Sequence, residues 1–330
     1  MWAESSAGQR LAMSWLGFVT LLALVSVGFA VGAASEIDRA CLGGCPPSRT
    51  HWLGTDSLGR DVAAQLLFGA RNALNGGLAA ALLSLIVGLG LGSSTAWYGR
   101  GGQRVTWWVL AQAAALCAFV YHWWLYLPAA TALALTGAST TVIIIVSWAM
   151  KRLMSTSRSA SWLSWGVAAD RLLLFVAEVT SSVPALLLLL ALAALALRPG
   201  LLQLVLIYVA VRWTNFAVLA LQETRSVLDR PYVEVAHHGG LSRRELFVRH
   251  VLPNVLPPVL VLALLSVSGF IIVEGTFAFL GLGLPVEHAS WGRVLAEAQQ
   301  VRGGWWLWVF PGVTLVGTVL SLQVLARRYR

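Results

Sequence analysis

Charge is scarce in this chain. Asp, Glu, Lys and Arg make up 11% of its 330 residues, against roughly 25% in soluble domains, and that shortage excludes a water-soluble globule. Lysine is nearly missing: Lys151 stands alone, and the other cations are arginine. With 14 acidic residues against 23 basic ones the net charge is +9, a balance that would suit nucleic acid. The arginines, however, flank apolar runs, as the positive-inside bias of membrane proteins requires, so no nucleic-acid partner is expected. There is no Gly-rich phosphate loop, no nucleophile elbow, no repeat of fixed period and no metal-ligand cluster. His237 and His238 fit no H-E-x-x-H pattern and have no carboxylate at helical distance, so they read as a solvated loop. Cysteine is limited to Cys41, Cys45 and Cys117. Cys117 lies in an apolar run and reads as packing. The Cys41–Cys45 pair could close a small disulfide in an oxidising compartment or remain as thiols. A zinc site would need four ligands, and only His51 stands near. Neither a catalytic residue nor a metal site is expected.

What the chain has in abundance is apolar sequence, at 58% of residues and a mean hydropathy of +0.75. Runs near 20 residues long predict membrane-spanning helices. The first covers about Leu11–Ala34. Gly32-Ala33-Ala34 would suit signal cleavage, but the run exceeds a signal core of roughly 7–15 residues, so it reads as an uncleaved first span. Further spans are expected at Leu78–Trp97, Val105–Tyr121, Leu125–Met150, Leu172–Leu197, Leu201–Leu221, Val259–Val273 and Trp305–Ala326. Gly88, Gly90 and Gly92 permit close helix approach. Val183-Pro184 should bend the fifth span. Glu178 lies just before that bend, and Arg212 and Asn215 interrupt the next span near its middle. Ionisable groups at such depth usually face a bundle interior or a water cavity, so all three are candidates for a solute pathway. Arg212 could alternatively pair with Glu178 or with a carboxylate of a partner subunit, and Glu178, two turns from Arg171, could instead snorkel to the cytoplasmic boundary.

The crossings place both termini inside. Arg10, Arg100, Arg104, Lys151, Arg152, Arg158, Arg171, Arg225, Arg230, Arg243, Arg244, Arg249, Arg327, Arg328 and Arg330 then fall on the cytoplasmic side. Arg39, Arg49, Arg60, Arg71, Arg198, Arg293 and Arg302 fall outside.

One charge-rich passage on the inner side, Asp229–Pro258, predicts a helix, a glycine break and a second helix. Asp229 can cap the first helix and Pro231 suits its first turn. Tyr232, Val235 and Ala236 share a face, and Gly239-Gly240 stop it. Ser242 and Glu245 form an S-x-x-E capping box for the second helix, which carries Leu246, Phe247, His250 and Val251 and is expected to end at Pro253. Such an exposed amphipathic element suits the docking of a soluble partner.

This passage resembles the EAA loop of ABC importer permeases: Glu234-Val235-Ala236, then Gly240, then His250-Val251-Leu252-Pro253. The wording PYVEVA…G…RHVLPN is similar to the dipeptide/oligopeptide/nickel branch. Val235 replaces the usual alanine, and Gly239 stands where a bulky apolar residue is common. Two more stretches agree. His51–Leu74, HWLGTDSLGRDVAAQLLFGARNAL, resembles the signature after the family's first helix, with Gly54, Thr55, Asp56, Gly59, Arg60 and Asp61. Locally, Asp56 or Ser57 can cap, and an amphipathic helix from Asp61 would rest on the membrane surface. Glu274–Ala298 resembles the family's outer element, with Glu274, Phe279, Leu280, Gly281, Gly283 and Trp291, the tryptophan anchoring at headgroups.

The resemblance covers roughly residues 11–104 and 170–330. It implies an all-α polytopic bundle with the type I importer permease fold, six family helices plus an inserted hairpin, and about eight spans. Residues 1–104 would hold the first two helices with an interfacial segment at 35–77. Residues 105–169 would be the inserted hairpin and basic linker. Residues 170–330 would be the permease core, with the coupling loop at 229–254. Tyr232, Glu234, Ala236, Gly240, Leu241, Arg249 and Pro253 would meet the ATPase. The implied assembly is a second permease subunit, two cytoplasmic ATPases holding ATP-Mg, and an extracytoplasmic binding protein, in the bacterial inner membrane and surrounded by its lipid. No cofactor is expected in this chain. The rival reading is an ion-coupled secondary transporter, which should carry several intramembrane carboxylates.

Overall fold

The computed structural model describes residues 7–28, 34–99, 104–106, 166–195, 200–239, 241–285 and 288–328. Helix α1, Ala7–Val25, runs into a 3₁₀ turn at Ser26–Gly28. Helix α2 is a single rod, Val62–Gly99, about 57 Å long at 1.5 Å per residue. Strands β1 (Arg104–Thr106) and β2 (Gly166–Ala168) pair antiparallel, Val105 opposite Val167. Then come α3 (Ala169–Ser182), α4 (Ala185–Leu195), α5 (Leu201–Leu228), α6 (Pro231–His238) and α7 (Arg243–Leu246). A π-helical turn, Phe247–Val251, leads into α8 (Leu252–Phe279). Helices α9 (Trp291–Glu297) and α10 (Trp306–Arg328) complete the chain.

The protein is a multi-pass membrane protein. Among the described residues five helical stretches are long and apolar enough to cross a bilayer, and α3 with α4 makes a sixth if the bent pair is one span. Their axes differ by 82°, and the break falls at Val183-Pro184, where proline removes a backbone donor and disfavours helix in the preceding residue. The spans expected at 105–121 and 125–150 lie outside the described residues except at their start, where Val105 belongs to β1 instead of a helix. Cys117 and Lys151 also lie outside them. Residues Ser94–Val176 form a compact unit of their own, distinct from the unit made by Met1–Ser93 and Ala177–Arg330. Among the described residues, the architecture is all-α apart from the three-residue ladder.

In lipid the hydrophobic effect does not drive helices together, so close packing of small residues does. The core of the larger unit joins Val19, Val62, Leu66, Ala70, Val267, Ile271, Trp291, Leu307 and Val319. A Cβ on Gly92 would lie 2.2 Å from the Ala217 carbonyl oxygen, and one on Gly88 would lie 2.3 Å from the Phe216 Cβ. These two glycines let α2 cross α5 backbone to backbone, whereas Gly90 faces open space. Tyr208 packs edge-on against Phe270 at 5.4 Å and donates to the Ser266 carbonyl at 2.9 Å, tying α5 to α8. Phe18, Leu21, Leu24, Leu82, Ile86 and Leu320 are exposed, as lipid-facing side chains should be.

Three boundaries depart from expectation. The stretch after Asp61 is no surface helix. It is the buried opening of α2, with Phe68, Ala70 and Ala73 inside. Proline does not end the second helix of the 229–258 passage: Pro253, Pro257 and Pro258 all lie within α8. The π turn shifts the hydrogen-bond register, with the Leu252 N–H reaching back five residues to the Phe247 carbonyl, so the helix passes the first proline without a stop. Asp229 closes α5, its N–H donating to Arg225 and Val227 carbonyls, in right-handed helical geometry and not the extended geometry of an N-cap.

Candidate functional site

Two regions at opposite ends of the spans carry the matched motifs. The first is the knuckle from α6 to the π turn. Pro231 opens α6, and the helix ends at Gly239, whose N–H bonds to the Val235 carbonyl at 2.9 Å. Gly239 itself is not among the positive-φ glycines. Gly240 and the side chains of Glu234, His237, His238 and Arg243 lie outside the described residues. The capping box forms: the Glu245 carboxylate accepts from the Ser242 hydroxyl at 2.7 Å and the Ser242 N–H at 3.2 Å, and the Glu245 N–H donates to Ser242 Oγ at 3.3 Å. Val233 and Leu246 are buried and hold the knuckle to the body. Asn254 donates to the Tyr232 hydroxyl at 3.4 Å and to the His250 carbonyl at 2.7 Å, and the Tyr232 ring sits 6.3 Å from that of His250. The opposite face is open. Val235 is 70% exposed and Tyr232 41% exposed, with Arg244, Arg249 and Pro253 also exposed and Ala236 and Leu241 partly so. This apolar face rimmed by cations has no cover within the described residues.

The second region is a cap built from residues 34–61, the loop after α8, α9 and the turn before α10. Gly54 and Gly59 have φ of +79° and +80°. A Cβ on Gly59 would lie 2.4 Å from the Asp38 carbonyl oxygen, and one on Gly54 would lie 2.8 Å from Trp306, so both turns require glycine. Asp56 is fully buried. It accepts from the Leu58 and Arg60 N–H groups at 3.0 and 2.8 Å and from Arg60 Nε at 2.7 Å. Arg60, only 2% exposed, also lies 3.8 Å from Glu297, whose carboxylate accepts from the Ser57 hydroxyl. Arg60 is thus a buried strut and not a headgroup contact. The N-cap of α2 is Asp61, accepting from Ala63 and Ala64 N–H at 2.7 and 3.2 Å, in place of Asp56 or Ser57. Buried Thr55 accepts from the Trp306 indole at 3.0 Å through its carbonyl and from the Cys45 N–H at 2.8 Å through its hydroxyl.

Cys41 and Cys45 are joined as a disulfide. Beside it His51 bridges two carboxylates, Nδ1 to Asp61 at 2.8 Å and Nε2 to Asp38 at 3.2 Å. Hydrogen bonding to Asp61 and then Asp38 raises the His51 pKa above its usual range. The Ala40 N–H and then His51 hold the Asp38 carboxyl below its usual range. Nothing in the spacing of residues 38, 51 and 61 announced this bridge.

Trp291 is not a headgroup anchor. It is buried in the core, its indole donates to the Leu66 carbonyl at 3.0 Å, and Gly69 makes room for its ring. Gly292 backs onto Gly275 so closely that a Cβ would fall 2.0 Å from the Gly275 carbonyl oxygen. Glu274 is buried facing Ser290 and Arg293. Phe279, Leu280 and Leu282 are exposed around the left-handed turn at Gly281, and Gly283 lies against Ala278. Arg293 threads this loop, donating to the Pro285 and His288 carbonyls at 3.0 Å each and to that of Leu284.

Glu178, Arg212 and Asn215 are the pathway candidates. Among the described residues no ion pair joins Arg212 to Glu178. Arg212 lies 5.8 Å over the Tyr208 ring, a cation–π contact that satisfies it without a carboxylate. Asn215 and Glu178 are exposed. A separate open groove of about 730 Å³ lies between α5, α8 and α10, lined by Leu219, Pro257, Val261 and Leu265, with Glu223 and Arg327 on its wall. Sequence reasoning treated those two charges only as markers of the inner boundary.

Comparison with known proteins agrees with this arrangement. The profile of the family described as binding-protein-dependent transport system inner membrane component matches residues 153–329. A putative peptide transport system permease protein of Brucella suis biovar 1 (strain 1330) is 26% identical over 281 residues, 85% of this chain and 72% of the relative. The probable D,D-dipeptide transport system permease protein DdpC of Escherichia coli K12 is 26% identical over 280 residues, 84% of this chain and 71% of the relative. The oligopeptide transport system permease protein OppC of Bacillus subtilis 168 is 24% identical over 280 residues, covering 84% and 70%.

Proposed function

The chain belongs to the family of binding-protein-dependent transport system inner membrane components, and from that premise we propose that it is one permease subunit of an ATP-driven importer of peptides or similar small solutes. It is a non-catalytic membrane subunit. The observation that carries the proposal is the knuckle: an apolar face, Tyr232 and Val235, exposed at the membrane boundary and braced from behind by Val233, Leu246 and Asn254. Exposing such a face is unfavourable unless a partner covers it.

In this reading the knuckle faces the cytoplasm and seats in a cleft of an ATPase subunit. The positive-inside sorting of arginines supports that side. Two ATPases with ATP-Mg, a second permease and an extracytoplasmic binding protein complete the assembly. The cap of residues 34–61 and 280–304 then lies outside, where the binding protein delivers solute. Closing of the ATPases draws paired knuckles together. The α6–π turn–α8 path transmits the motion, because α8 runs unbroken from the knuckle to the cap. Only a difference in binding free energy between inward- and outward-open states can drive such a switch. Peptide as the solute class is supported by the relatives' names. An ion-coupled carrier is expected to carry several intramembrane carboxylates, and the sequence offers only Glu178 and Arg212 at such depth.

Replacing Gly240 with a bulky residue tests the coupling. The expected result is loss of ATPase copurification or of solute-stimulated ATP turnover. A Gly240→Leu complex that copurifies and keeps its stimulated turnover would refute the assignment.

A further inference from the structure

The cap holds a donor set that neither transport nor the family match uses. Cys41 Sγ, a carboxylate oxygen of Asp38 and a ring nitrogen of His51 all lie within 4.8 Å of one another. Cys45 Sγ is bonded to the same sulfur. The backbone that carries these donors is fastened independently of the sulfur bridge. Asp38 N–H donates to the Gly59 carbonyl at 3.0 Å, Gly43 N–H to the Ser57 carbonyl at 2.9 Å, Cys45 N–H to Thr55 Oγ1 at 2.8 Å, and Gly54 N–H to the His51 carbonyl at 3.0 Å. Gly43 and Gly44, with φ of +90° and +91°, fold the C-x-x-x-C turn back on itself. Opening the disulfide therefore leaves the Cys41 thiol within this donor group and the Cys45 thiol beside it.

The histidine is already oriented for such a role. Its Nδ1 bonds to the Asp61 carboxylate at 2.8 Å, and Asp61 is itself fixed as the N-cap of α2. A carboxylate behind one ring nitrogen holds the proton there and turns the other nitrogen's lone pair outward, the outer-sphere arrangement found behind metal-bound histidine. Here that other nitrogen, Nε2, faces the Asp38 carboxylate at 3.2 Å, a hydrogen bond only while Nε2 carries a proton, so a metal would take that proton's place. Two thiolates, one imidazole and one carboxylate make a tetrahedral set suited to zinc, a borderline-soft ion.

We propose that Asp38, Cys41, Cys45 and His51 bind one zinc-class divalent ion when the Cys41–Cys45 disulfide is reduced, so that the cap is closed by sulfur–sulfur bonding in its oxidised form and by the metal in its reduced form. Reduction by a phosphine balances as disulfide plus phosphine plus water giving two thiols and the phosphine oxide. Metal entry then releases the two thiol protons and the His51 Nε2 proton to solvent. The inference rests on the cap's donors and is independent of the direction or substrate of transport.

The test uses the full chain purified in detergent, oxidised or phosphine-reduced, incubated with zinc chloride and desalted. One zinc per chain is expected in the reduced protein and none in the oxidised protein. X-ray absorption should show two sulfur neighbours at about 2.3 Å. The bound zinc should slow alkylation of both thiols and be lost in Cys41→Ser/Cys45→Ser and in His51→Ala. Asp38→Ala, on an exposed side chain, provides a variant that leaves the core untouched and should weaken retention at least tenfold. Reduced protein that retains no more zinc than the double-serine variant overturns the proposal. So does retention undiminished from the parent in both His51→Ala and Asp38→Ala, which would place the metal elsewhere.

Discussion

Replacing Arg60 with methionine should destabilise the cap severely, and the size of the effect follows from its surroundings. Asp56 is fully buried and Arg60 is 2% exposed, with Arg60 Nε 2.7 Å from the carboxylate. Removing one partner of a buried pair costs about 3–5 kcal/mol, because the remaining charge is left without compensation. Asp56 would keep two backbone donors, from Leu58 and residue 60, which puts the expected loss near the lower end, about 3 kcal/mol. Glu297 would also lose its cation at 3.8 Å. Methionine fills much of the arginine's volume, so a cavity contributes little. The double variant Asp56→Asn/Arg60→Met removes both charges while keeping an oxygen for the two N–H groups. It should recover at least half of the loss, because replacing a whole buried pair is often neutral. Equilibrium unfolding of the purified protein in mixed micelles titrated with SDS measures both, with Asp56→Asn completing a double-mutant cycle. An Arg60→Met protein within about 0.5 kcal/mol of the parent, a typical surface substitution, would refute the reasoning, as would a double variant no better than the single one.

Three further outcomes are expected. Gly92→Leu should separate α2 from α5, since even a Cβ would lie 2.2 Å from the Ala217 carbonyl oxygen; overpacking costs about 1–3 kcal/mol, and the same titration reads it. The His51 bridge should make the cap pH-dependent. A raised His51 pKa adds stability that is complete below its ordinary value of 6.5 and fades as pH rises through the folded value. A lowered Asp38 pKa adds stability that is present above 3.8 and fades as pH falls through its folded value. Hydrogen exchange across residues 34–61 should therefore be slowest between those limits, and His51→Asn should abolish the alkaline limb. Val235→Asp, on a side chain 70% exposed, should leave stability within about 0.5 kcal/mol yet reduce recovery of the ATPase with the permease.

Much of this molecule was legible in its residues, and the misreadings share a cause. The apolar runs located the described spans because lipid demands about 20 apolar residues per crossing. The Ser242–Glu245 box and the Pro184 bend were readable because each depends on chemistry within one turn. Pro253 misled because a proline stops a helix only when the backbone register stays α, and the π turn at Phe247–Val251 shifts it. Trp291 and the stretch after Asp61 were placed at the membrane surface because amphipathic sequence looks the same whether its apolar face meets lipid or Trp291 itself. The Arg212–Glu178 pair was a guess about distance, and an aromatic ring one turn away had the stronger claim. The His51 bridge joins residues 10 and 13 positions apart, within a loop whose path depends on four left-handed glycines. No periodicity encodes such a contact.

The account depends most on where the knuckle lies and what covers it. A Val235→Cys variant in a Cys117→Ser background, with Cys41 and Cys45 kept joined as the disulfide, can be labelled with a membrane-impermeant maleimide in right-side-out and inverted vesicles, each with and without the ATPase subunits. The account predicts labelling only in inverted vesicles, with protection when the ATPase is bound. Labelling from the outer face, or labelling from the inner face that the ATPase leaves unchanged, would contradict it.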